Sequence, residues 1–135
     1  MVLVTRWVHF TSVLLLLGSA FYGRLVLAPA LQSLESAERV KLWDRAAARS
    51  RWVVIVAVFG VLASGLYNVV TRAGLTGVYL VWFGVKMLLV LHIFAVSLLA
   101  AKPGVEPEKR VRWMTGIMIS GLLVILVSVG LRLMQ

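Results

Sequence analysis

Four apolar segments, each about as long as a membrane-crossing helix and separated by charged stretches, account for most of this chain. They run over Trp7–Leu27, Trp52–Val70, Tyr79–Ala101 and Trp113–Leu131. At ~1.5 Å of helical rise per residue, each segment can cross the roughly 30 Å hydrocarbon core of a bilayer. Hydrophobic residues make up 61% of the 135 residues, which is more than a small soluble domain can bury. The sequence therefore predicts an all-α, four-helix transmembrane bundle, a single four-pass domain over residues 1–135, with the lipid bilayer as its first partner.

The basic residues predict the orientation of the bundle. Ten lysines and arginines flank the first and third loops, against three at the opposite side of the membrane. The ten are Arg24, Arg39, Lys41, Arg45, Arg49, Arg51, Lys102, Lys109, Arg110 and Arg112; the three are Arg6, Arg72 and Arg132. Because cytoplasmic loops collect positive charge, we expect a bacterial inner membrane protein with both termini outside. The net charge of +9 is spread over these flanks and forms no patch interleaved with aromatics, so nucleic acid is not an expected partner.

The first loop predicts an amphipathic helical extension before the second span. Between Gln32 and Arg51, apolar residues recur at helical spacing among charged ones, with Ser33 as the expected N-cap. The expected apolar stripe is Leu34, Ala37, Val40, Trp43 and Ala47. This segment either prolongs the second span along the headgroups or offers a docking surface to a partner protein.

Three ionisable residues lie within the spans, where charge is costly and is a hint of function. They are His9 in the first span, and Lys86 and His92 in the third. His92 is expected in the core near the bilayer midplane. All five acidic side chains lie in the first and third loops, so Lys86 has no carboxylate at its own depth.

Depth decides which of these residues can share a ligand. The first and third spans run in the same direction, so that His9 and Lys86 are nearly level, whereas His9 and His92 differ by roughly 10 Å. We therefore expect His9 and Lys86 to form the cofactor pair. A separate soft copper site is predicted from His92 and Met118, which fall at similar depth in the third and fourth spans.

The spans resemble those of small four-pass proteins related to the copper-resistance D (CopD) family. The similar stretches are WVHFTSVLLLLGSAFYGRLVLAPAL, ARSRWVVIVAVFGVLASGLYNV and YLVWFGVKMLLVLHIFAVSLLA. The chain is more distantly similar to HemJ-type protoporphyrinogen oxidases, in which a first-span histidine and a third-span lysine are associated with haem b. That resemblance implies His9 and Lys86 as the haem-associated pair, whereas span four begins RVRWMTGIMISG and lacks that group's Asn-Glu pair before Pro-Thr.

Three functions follow as alternatives. The first is a CopD-like bundle associated with haem b or copper through His9, Lys86 and His92, or through His92 and Met118. The second is an accessory subunit that packs on a larger membrane complex. The third is a haem-dependent protoporphyrinogen oxidase. No residue is assigned a catalytic role, and whether the chain is an enzyme stays open.

Overall fold

The computed structural model describes residues 2–72, 74 and 76–133, and within these ranges it contains helices and no strand. The elements are α1 (Val2–Tyr22), a π-helical segment (Gly23–Leu27), α2 (Ala28–Leu31), α3 (Ser36–Val70), α4 (Gly77–Ala100) and α5 (Pro107–Leu133). The first three are continuous, so that four apolar helical rods are long enough to cross a membrane. The predicted all-α four-helix bundle is thus confirmed.

The π-helical segment changes which face of the first rod points into the bundle. Its wider turn is closed by the main-chain N–H of Ala28, which donates to the carbonyl of Gly23. The next residue is Pro29, which has no N–H to continue the α-helical pattern. A π turn accommodates one residue more than an α turn, which rotates everything beyond it. As a result Ala28 and Leu31 are buried beyond the segment, whereas Val26 is half exposed.

The helices associate as two antiparallel pairs. Helix α1 packs chiefly on α3, and α4 packs chiefly on α5. The pairs meet through contacts of α1 with α5 and of α3 with α4, which places α1 and α4 on a diagonal. All four rods contribute to one apolar core, formed by Leu16, Ala20, Val54, Ala57, Val58, Val61, Ile93, Phe94 and Ile117. We call the end of the bundle at Val2, Val70, Gly77 and Leu133 the terminal end, and the opposite end the loop end.

Helix α3 contains both the predicted amphipathic extension and the second span. Its 35 residues extend over ~52 Å at helical rise, well beyond the hydrocarbon core. The extension folds against the loop end, where Trp43 is buried on Ala28 and Leu31. Of the predicted apolar stripe, Trp43 and Ala47 are buried, but Ala37 and Val40 are exposed.

The prediction of Ser33 as the N-cap is wrong. Helix α3 begins at Ser36 with Glu35 in the N-cap position, and the Ser33 hydroxyl donates backwards to the carbonyl of Ala30. The free carbonyls at the end of α2 explain the difference. Arg39 reaches back and donates to the carbonyls of Leu31, Gln32 and Leu34, so the turn is closed by a guanidinium rather than by a serine cap.

Helices α1 and α3 approach each other closely at Gly60, and a substitution there tests this packing. A Cβ atom at Gly60 would overlap the side chain of Ser12 on α1, whereas a Cβ at Gly65 meets nothing within 4 Å. We expect Gly60→Leu to lower the free energy of unfolding by about 1–3 kcal/mol, because overpacking forces the two helices apart. The measurement is denaturant titration in detergent micelles, followed by circular dichroism.

Gly65→Leu is the matched control, since it adds the same side chain on the same helix where space is open. Equal destabilisation by the two substitutions would contradict the packing of α1 on α3 described above.

Candidate functional site

The candidate site lies inside the bundle, toward its terminal end, where His9 and Lys86 are brought together. His9 on α1 and Lys86 on α4 are both half-buried and come from the diagonal pair of helices. Lys86 is near enough to exert an electrostatic effect on the His9 imidazole. His9 and Lys86 thus lie within electrostatic range of each other, and their pairing at one ligand stays a prediction.

His9 is held in one orientation by α3. Its Nδ1 atom lies 2.9 Å from the Oγ atom of Ser64. The Ser64 hydroxyl has a single proton and lies 2.5 Å from the carbonyl oxygen of Gly60, to which it donates. The Ser64 oxygen therefore accepts, and Nδ1 of His9 carries the N–H that donates to it.

This hydrogen-bond chain assigns the tautomer of the neutral imidazole. With the proton on Nδ1, Nε2 is the unprotonated nitrogen, and the main chain of Val61 is a further hydrogen-bond partner beside the ring. A histidine that donates one N–H to a fixed acceptor and offers the other nitrogen is the arrangement found at metal-ligating histidines. The close approach of Gly60 to α1 serves this geometry, because a side chain there would displace Ser12 and separate the two helices.

Positive charge surrounds Lys86. The charges that act on it most are those of Arg72, after the end of α3, and Arg132, in the last turn of α5. The Nη1 atom of Arg72 donates to the hydroxyl of Tyr79 at 2.5 Å, and its guanidinium also lies over the Tyr79 ring. Because every acidic side chain of the sequence lies toward the loop end, the described part of the terminal end has cationic side chains and no acidic one. Such an arrangement favours an anionic ligand.

His92 lies elsewhere. The structure places its side chain on the exposed outer face of α4, next to Leu88 and Leu91, which are 70% and 57% exposed. The expected core position of His92 is therefore corrected. The neighbouring positions Ile93 and Phe94 take the buried face instead, at 4% and 6% exposure. A segment that is apolar on all sides gives no hydrophobic periodicity from which the inward face can be read.

The predicted copper ligands are not joined by a hydrogen bond in the described chain, and their burial differs. Met118 of α5 is half-buried, whereas His92 of α4 is exposed outward. Within residues 2–72, 74 and 76–133, no cluster of three or more histidine, cysteine, aspartate or glutamate side chains is placed to hold a metal ion.

Sequence reasoning missed a second polar centre at the loop end. Arg110, counted only as a loop charge, is the most deeply buried charged residue of the described chain, at 1% exposure. Its Nη2 atom donates to the Lys102 carbonyl at 2.8 Å and lies 3.4 Å from Asp44. Arg24 similarly crosses between rods, and its Nε atom donates to Thr115 at 2.9 Å. Their positions at the flank of an apolar run gave no signal of burial.

Comparison with known protein families, with curated protein sequences and with solved structures gives no match for this chain.

The tautomer of His9 can be checked directly. We expect nitrogen-15 NMR of histidine-labelled protein to show His9 with its proton on Nδ1 when the ring is neutral, because Ser64 accepts there. Ser64→Ala removes that acceptor and should shift the ring toward the Nε2-protonated form or a mixture of the two.

His92, exposed on the outer face of α4, is the internal reference in the same spectra, and His92→Gln assigns the signals. A His9 signal that is indifferent to Ser64→Ala would contradict the hydrogen-bond chain.

Proposed function

We propose that this four-helix membrane protein is a haem-associated bundle of the CopD-like type, in which His9 and Lys86 would hold the haem. The observation that carries the proposal is that two nitrogen bases on diagonal helices lie half-buried within electrostatic range of each other, with Nδ1 of His9 bonded to Ser64. Haem iron accepts one protein ligand on each side of its ring, so two bases suffice where a protein-only metal site needs three or four.

The residues present fit such a group in two further respects. Lys86 has no hydrogen bond to another described residue, so its nitrogen is available, and a lysine ligates as the neutral amine. Arg72 and Arg132 supply positive charge at the same end, which suits the two carboxylates of a haem. Haem would supply one-electron chemistry, while the chain binds and orients it and keeps water away from it. Copper coordination by His92 and Met118 stays a prediction with less geometric support, as does protoporphyrinogen oxidase activity.

Haem titration in detergent tests the proposal. We expect the purified chain to bind haem with a Soret band, and His9→Ala and Lys86→Met to weaken binding. Loss of an outer-shell partner alone costs ~10–100-fold in metal affinity, so loss of a ligand should cost at least as much. His92→Gln is the matched control, because it removes the other imidazole of the chain, which points outward.

Lys86→Arg separates ligation from charge. An arginine retains the positive charge but does not ligate. If Lys86 is a ligand, the haem spectrum of Lys86→Arg should change from six-coordinate to five-coordinate. If Lys86 acts only through its charge, the spectrum should be the same as in the wild type. Absence of a Soret band in the wild-type protein, or equal bands in His9→Ala and wild type, would rule out haem binding by His9 and Lys86.

A second candidate function, an accessory subunit of a larger membrane assembly, is favoured by His92. This imidazole is exposed on an otherwise apolar face of α4 and has no hydrogen bond within the described residues. Polar side chains at this depth usually bond to a neighbouring helix rather than face acyl chains. We expect mild-detergent solubilisation to recover a stoichiometric partner with the wild type and to lose it with His92→Leu.

Leu88→Ala changes the same exposed face of α4 without removing a polar group, and it should retain the partner. Isolation of wild-type and both variants as the same homogeneous, partner-free species would reject the accessory role.

A further inference from the structure

A cavity of about 240 Å³ lies at the loop end of the bundle, distinct from the His9–Lys86 site. All four membrane-spanning rods contribute to its wall, which is mainly apolar and includes Leu16, Ala20, Ala47, Val54, Met114 and Ile117. The π-helical segment borders it through Gly23, where a Cβ atom would come within 2.8 Å of Met114. The volume equals that of about eight water molecules at ~30 Å³ each, which is enough for a short acyl chain.

Two residues that line this apolar cavity carry buried polar atoms without partners. Arg110 and Ser97 both line it, at 1% and 5% exposure. The Nε and Nη1 atoms of Arg110 and the Oγ atom of Ser97 are buried and have no hydrogen-bond partner. The other serines of the wall are satisfied by their own helices, since Ser19 donates to the Leu15 carbonyl and Ser50 to the Ala47 carbonyl. Unpaired buried N–H groups are rare in proteins, so these atoms call for an acceptor.

Asp44 does not meet this need. Its Oδ1 atom is 3.4 Å from Nη2 of Arg110, longer than the 2.7–2.9 Å of a charge-assisted hydrogen bond. The same oxygen also accepts from the main-chain N–H of Gly104 at 3.2 Å, and the Asp44 side chain is 32% exposed. The contact involves only Nη2, so that the guanidinium keeps two donor atoms, Nε and Nη1, without an acceptor. An anion inside the cavity would supply an acceptor for the unpaired donors and a negative charge for the guanidinium.

The cavity also reaches the outer surface of the bundle. Tyr22 is among its lining residues and is 60% exposed. In a chain that spans the membrane, this side of α1 faces lipid near the loop-end interface. A ligand with an anionic head and an apolar tail can therefore enter sideways from the bilayer, with its head toward Arg110.

We propose that this cavity is a binding site for an acidic lipid, in which Arg110 and Ser97 donate to a carboxylate or phosphate oxygen and the apolar wall holds an acyl chain. The guanidinium provides a charge-assisted donor, the serine a neutral one, and Trp43 closes the site beside the guanidinium, which lies 5.8 Å from its ring centre. The site is independent of the haem proposal, because it lies at the other end of the bundle and uses other residues.

Quenching of Trp43 by a brominated ligand tests the proposal in the full chain. In a variant with Trp7, Trp52, Trp82 and Trp113 replaced by phenylalanine, Trp43 is the sole tryptophan and lines the cavity. We expect decanoate with a terminal bromine to quench it saturably in nonionic detergent. The methyl ester of the same acid, which has the same tail and no charge, should quench at least about tenfold more weakly, as expected for loss of a charge-assisted hydrogen bond.

Variants identify the residues responsible. Arg110→Gln should weaken binding of bromodecanoate by at least about tenfold, because it removes the charged donor. Arg112→Gln is the matched control, since Arg112 is exposed on the same helix and does not line the cavity. Ser97→Ala keeps the proposal testable if Arg110→Gln fails to fold, and it should weaken binding several-fold without loss of helicity. Ala47→Phe fills the cavity and should abolish saturable quenching.

Competition distinguishes the two sources of the anion. Displacement of bromodecanoate by unbrominated phosphatidylglycerol assigns a phospholipid phosphate, and displacement by decanoate alone assigns a free carboxylate. Equal quenching by the acid and its ester, or equal affinity of Arg110→Gln and wild type, would overturn the proposal in favour of a merely apolar crevice. Absence of saturable quenching would overturn it in favour of a cavity filled by water.

Discussion

A polar group inside a bilayer finds no water, and this constraint governs every polar residue of the bundle. The main-chain N–H and C=O groups bond to one another within the helices that form all four spans. Three serines of the spans follow the same rule, because Ser19, Ser64 and Ser128 each donate to a carbonyl one turn earlier in their own helix. Against this background, a side chain that is not satisfied within the bundle points to something that the bundle must bind.

The basic side chains at the two ends of the bundle have different neighbours. At the loop end, cations have oxygen partners: Arg39 caps the carbonyls after α2, Arg24 bonds to Thr115, and Arg110 is partly matched by Asp44. At the terminal end, Lys86 has only other cations for charged neighbours. The absence of acidic side chains from that end is a property of the sequence itself, so the positive potential does not depend on details of side-chain packing.

The four spans could be predicted from the sequence, whereas the face that each helix turns toward the bundle interior could not. Runs of apolar residues of bilayer length identify four spans because hydropathy is a property of the whole segment. The level of His9 and Lys86 followed from counting residues along parallel spans. Counting residues gives the depth of His92 but not the face of α4 on which it lies. This face could not be predicted, because α4 is apolar on all sides and its rotation is set by contacts with α5. Likewise, hydropathy does not show that Arg110 is buried, since a flanking arginine has the same sequence signature whether it faces water or folds inward.

The π-helical segment lies between the part of the first rod that carries His9 and the part that borders the loop-end cavity. Before the segment, α1 turns His9, Ser12 and Leu16 toward its partners at regular helical spacing. After it, Ala28 and Leu31 are buried on Trp43 of α3, and Leu27 is partly buried against the same cluster. Gly23, at the transition, leaves room for Met114 to approach. A regular α-helix through Pro29 would lack the main-chain donor for Leu25 and would turn a different set of residues toward the cavity wall. The local irregularity thus keeps the His9 face and the cavity face of the first rod in register with different partners, which a straight helix of this sequence would not do.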